Sequence, residues 1–184
     1  MKKVFNNIYI DTFKSFDRSI DAELSDFYEN DIKYIVNLTE CNQLTANHRI
    51  ALVCNKIKAL DFFNDPELYR IKNIKPELRT SSEVQSRSTI RERIMGEKSK
   101  FLLDISKIDG NILFVCNRNN VLSPLFTFII MHLQGNENYI KNIMKNKDVI
   151  TSQSNKADVQ KYLDKYKDII HNKINEIPKQ AVQR

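Results

Sequence analysis

The chain has 184 residues, 41% hydrophobic and 28% charged, a length that suits one domain with a full core and a balance that excludes a disordered chain. Its 29 Lys and Arg against 23 Asp and Glu give a net charge of +6 with no run of five basic residues, which mildly favours anionic partners and argues against a dedicated nucleic-acid arm. Cys41, Cys54 and Cys116 cannot all pair and show no C-x-x-C spacing, and no stretch of about 18 apolar residues or secretory leader occurs, so a cytoplasmic protein without disulfides, bound metal, cofactor or membrane span is expected.

In chain order, "VFNNIYI" alternates and predicts a strand, and Phe16, Ile20, Leu24, Phe27 and Tyr28 mark one face of a helix. "IKYIVNLT", residues 32–39, is a short apolar run of the kind buried on both faces of a sheet. From Leu44 to Phe63 the apolar residues recur at helical intervals and predict one helix, ended by Pro66. "LYRIKNI" then predicts a third strand before Pro76. A serine-capped long helix with a break near Gly96 follows. Asp109-Gly110 turns the chain into "NILFVC", the strongest strand signal, and Val121–Leu133 reads as an apolar helix closed by Gly135. Two more helices complete a single domain over 1–177, leaving 178–184 as a tail. Strands separated by helices predict an α/β fold, a central sheet flanked by helices.

Cys116 ends a central strand, and a polar loop and a helix N-terminus follow it. Exposed amides and a helix dipole in that position attract an oxyanion and lower a thiol's pKa, so the segment is the candidate site. Its residues are Cys116, Asn117, Arg118, Asn119, Asn120, Val121, Leu122 and Ser123.

The order of these pieces resembles the dual-specificity branch of the protein tyrosine phosphatases, whose signature is H-C-x5-R followed by Ser or Thr. "NNIYIDTFKSF", "IKYIVNLTE" and "NILFVC" are similar to that family's strands, and "LQGNENYIKNIMKNKDV" and "ADVQKYLDKYK" to its closing helices. The opening looks most like the poxvirus members, and the Asn, Lys and Ile bias suits an AT-rich viral genome. "VCNRNNVLSP" also resembles the loop of the low-molecular-weight tyrosine phosphatases, but that family carries it near the N-terminus. The resemblance implies a cysteine-phosphatase fold with Cys116 at the nucleophile position.

The departures decide the expected function. Leu122 stands where the resemblance places the phosphate-binding arginine, Val115 where it places histidine, and Asn119 where it places a glycine. Leucine makes neither the paired charge-assisted hydrogen bonds to a phosphoryl group nor the stabilisation of its developing charge. Arg118 is expected to point outward from the loop. Asp61, Asp65 and Glu77 are the candidates for a general acid, each expected to be an ordinary carboxylate. His48 and His171 fall on polar helix faces, and His132 reads as a packed or capping residue.

The expectation is therefore a catalytically inactive pseudophosphatase, not an enzyme. It would act by protein–protein binding in the cytoplasm, the host's if the source is viral, with self-association possible. Two alternatives stay open: an active phosphatase with an atypical Cys116 site in which Arg118 or a lysine supplies the charge, and an anion- or RNA-binding module.

Overall fold

A computed structural model describes residues 1–13, 20–118 and 120–181, with the side chains of 20–23 and 177–181 excepted. Phe16, Asn119 and residues 182–184 lie outside the described residues.

The single strand expected over "VFNNIYI" is instead a hairpin, β1 (Lys2–Phe5) and β2 (Ile8–Thr12). Asn6 takes φ 41° at its turn, a left-handed conformation asparagine accepts more readily than most residues. The amide of Asn7 donates to Gly110 O at 2.8 Å, tying this turn to the start of the central strand. Helix α1 (Ile20–Glu29) and β3 (Ile32–Asn37) follow where the sequence predicts them.

Two further expectations are corrected. The helix predicted over 44–63 is only α2 (Ala46–Cys54), capped by the Thr45 side chain, after which Lys56 at φ 60° turns the chain into β4 (Lys58–Asp61). The i,i+3 spacing of Ile57 and Leu60 reads as helical, but parallel pairing of Lys58–Asp61 with Tyr34–Asn37 makes the segment a strand, and the two side chains face opposite cores. "LYRIKNI" is not a strand but lies in α3 (Pro66–Asn73) and the residue after it. Asp65 caps that helix through its Glu67 and Leu68 amides, Pro66 supplies the first turn, and Leu68 and Ile71 are its buried face.

Helix α4 (Ser81–Glu97) starts with a capping box between Thr80 and Glu83, and breaks at Lys98 into α5 (Ser99–Ser106). The central strand β5 (Asn111–Cys116) leads through the loop 117–121 to α6 (Leu122–Leu133), which ends before Gly135 at φ 78°. Helices α7 (Ile140–Met144) and α8 (Gln153–Ala181) close the chain, α8 running past Pro178, where the tail was expected to begin.

The sheet order is β1-β2-β5-β3-β4, with β1 antiparallel and the remaining strands parallel. This is an α/β fold with a mixed five-strand sheet and flanking helices. Strand alternation sends Ile112, Phe114 and Cys116 into the larger core with α6 and α8. Leu113 and Val115 face the smaller core with Phe27 and Leu52, from α1 and α2. No helix among the described residues is long and apolar enough to cross a membrane.

Candidate functional site

The parallel strands end on one margin of the sheet, where open α/β sheets place ligands. Cys116 sits there, opposite Thr12 of β2, and the loop after it leads straight into α6. Every residue of α6 from Ser123 to Met131 is buried, so the loop hangs between the two most enclosed elements of the fold.

Cys116 is 2% exposed. Ser123 Oγ donates to its Sγ at 2.9 Å, and the sulfur also lies 2.9 Å from Arg118 O, which accepts from the thiol. Burial pushes the Cys116 thiol up, and the Ser123 hydroxyl and backbone bonds at Ser123 and Arg118 offset this only in part. This direction is opposite to the lowering that exposed amides and a helix N-terminus give a thiol. We expect iodoacetamide at neutral pH to modify exposed Cys54 first, half-buried Cys41 next and Cys116 last; early labelling of Cys116 by peptide mass mapping would contradict this burial.

The other predicted site residues separate into two groups. Asn117 and Arg118 are exposed, Asn120, Val121 and Leu122 half-buried, and Ser123 fully buried. The Asn117 carboxamide accepts from Asn42 Nδ2 at 3.0 Å and lies 3.5 Å from Cys41 Sγ, joining the loop to the segment after β3. Leu122 packs against the main core, whereas Val115 points to the opposite face of the sheet. Asn119 lies outside the described residues.

The three carboxylates considered as general acids have other employment or lie apart. Asp61 is buried, accepting from Asn37 Nδ2 at 2.8 Å and pairing with Arg49. Asp65 caps α3 and pairs with Arg93 at 2.7 Å, and Glu77 is exposed in the short helical turn Pro76–Leu78. None of the three lines the cleft that contains Cys116. His132 meets His171 at 2.7 Å and Glu137 at 3.1 Å, at the far end of α6 from Cys116. Among the described residues, no three His, Cys, Asp or Glu are grouped to hold a metal ion.

That cleft, about 630 Å³, holds the part of the site that sequence reasoning missed. Five basic side chains, Lys72, Arg79, Arg87, Arg91 and Arg118, line it against two acidic ones, Glu40 and Asp158. Arg79 is structural, donating to the carbonyls of Ile71, Lys72 and Ile74 at the end of α3. Glu40, just after β3, is buried and takes Arg87 Nε at 2.9 Å together with Arg91. Burial raises the Glu40 carboxyl, but Arg91 and Arg87 outweigh it and hold the group below the usual carboxylate range. The spacing of Arg87 and Arg91, one helical turn apart in "RSTIRER", was the available signal, since it puts both on one face.

The site thus defines a class: a mixed-sheet α/β protein with a buried thiol at the carboxyl end of its central strand, beside a basic cleft. No protein-family model, curated protein or solved structure matches the chain.

Proposed function

We propose that this chain is a pseudophosphatase, a catalytically inactive protein on a cysteine-phosphatase-like frame that acts by binding another protein. The observation that carries the reading is Leu122: the first residue of α6 packs an aliphatic side chain on the core where the resemblance calls for a guanidinium. The burial of Cys116, which pushes its thiol pKa up, supports it. Loss of one such charged donor removes about 2.7 to 4 kcal/mol of transition-state stabilisation, or roughly 10²- to 10³-fold in rate, and weakens phosphate binding as well.

Hydrolysis of a phosphotyrosine peptide by wild type, Cys116→Ser and Leu122→Arg is the test. We expect no Cys116-dependent turnover in wild type and a gain of phosphate binding or of activity in Leu122→Arg. Clear wild-type turnover abolished in Cys116→Ser would mean that a cation other than residue 122 completes an active site, and the proposal would fall.

A further inference from the structure

The basic side chains that enter the cleft from α3 and α4, Lys72, Arg87 and Arg91, outnumber the one buried carboxylate of Glu40. Building on the pseudophosphatase reading, we propose that Lys72, Arg87 and Arg91 form an oxyanion site for a phosphorylated side chain of a protein partner, in the cleft that the loop after Cys116 also lines.

Arg87 and Arg91 leave α4 on one face, and both guanidiniums converge on Glu40. Arg87 gives Glu40 its Nε and Nη2, and so does Arg91. A guanidinium carries five N–H donors, and the Nη1 group of each arginine makes no protein hydrogen bond among the described residues. The two side chains keep 24% and 12% of their surface exposed, and both line the cleft.

Lys72 completes the group. Its ammonium makes no hydrogen bond or ion pair among the described residues, although it lines the same cleft. Burial, and then the charges of Arg87 and Arg91, lower its pKa. Lys72, Arg87 and Arg91 set three positive charges against the one carboxylate of Glu40 on this wall of the cleft. The excess of two positive charges equals the charge of a phosphomonoester, about −1.5 to −2 near neutral pH, whereas an aspartate or glutamate side chain brings only one. Arginine forks with a lysine beside them suit a compact phosphoryl group, as in other phospho-motif sites. Pro76 and Tyr162 on the cleft wall offer apolar surface to the residue that bears it. Single-stranded nucleic acid would need a basic track along its backbone with stacking surfaces, whereas Arg87 and Arg91 converge on the single residue Glu40.

Fluorescence anisotropy with labelled peptides carrying phosphotyrosine or phosphothreonine tests the site, against the same peptides unphosphorylated or with glutamate substituted, and against oligo-U RNA. Wild type is expected to prefer at least one phosphopeptide by about tenfold, and Lys72→Gln and Arg87→Lys to weaken that binding by about tenfold each. Arg93→Gln, on the same helix but paired with Asp65 and outside the cleft, should leave it within about twofold. Lys72→Gln should melt close to wild type, since the lysine has no hydrogen bond or ion pair to lose and the repulsion of Arg87 and Arg91 opposes the attraction of Glu40. Equal binding of all peptides, full affinity in Lys72→Gln, a matching loss in Arg93→Gln, or tighter binding of RNA would each overturn the assignment. Release of inorganic phosphate during the titration would instead overturn the pseudophosphatase reading, and the Lys72→Gln comparison would still decide the binding site.

Discussion

Phe126→Ala is expected to cost about 3 to 5 kcal/mol of unfolding free energy, the largest loss at any single position considered. Phe126 is fully buried on α6 and gathers the aromatic centre of the protein. Its ring meets Phe62 edge-on at 4.9 Å, and Phe63 and Phe114 each at 5.8 Å. Those partners come from the segment after β4 and from β5, so one ring joins the helix behind the site to the sheet beneath it. Truncation removes the ring's transfer free energy and the three ring-to-ring contacts, and leaves a void the sheet cannot collapse to fill. Urea denaturation at constant slope would measure the loss. A value under about 1 kcal/mol would mean that α6 repacks, contrary to the close packing described.

Arg91→Met is expected to cost about 3 kcal/mol near pH 7, the low end for breaking a buried ion pair because Arg87 remains. The Glu40 side chain is 1% exposed, and Arg91 both pairs with it and lies over the Phe63 ring at 5.6 Å. The pH dependence has a definite sign. In wild type the Glu40 carboxyl is held below its ordinary 4.5, so its stabilisation is complete above that value and is lost as pH falls through the depressed folded one. With Arg91 gone, burial is opposed only by Arg87 and the more weakly acting Lys72, and Glu40 takes up its proton at a higher pH than in wild type. The stability gap between the two proteins should therefore narrow from about pH 7 to about pH 4, as protonated Glu40 no longer needs a cation. A gap that is constant with pH would assign the loss to packing on Phe63 instead.

The elements legible from the sequence were those whose neighbours along the chain settle their fate. β3 and β5 are short apolar runs bounded by turn residues, and α6 is apolar all round, so each is recognised wherever it packs. β4 was hidden because four residues at a sheet margin carry too little pattern, and partnership with β3 alone makes them a strand. α3 was a different kind of miss: Asp65-Pro66-Glu67 is a sound helix start, overridden in the reading by the β-formers Tyr69 and Ile71. Within the site, Cys116, Leu122 and Ser123 could be found together because they are neighbours in sequence. Glu40 meets Arg87 and Arg91 across 47 and 51 residues, and only folding makes that encounter visible.

The order of strands has one more consequence, for behaviour in concentrated solution. Both outermost strands, β1 and β4, are four residues long, and the register of β1 slips between Lys3 and Phe5. Lys2, Lys3 and Lys58 lie along these margins. Short, kinked and lysine-bearing borders are poor templates for a strand from another chain, so the sheet is protected from stacking edge to edge into aggregates.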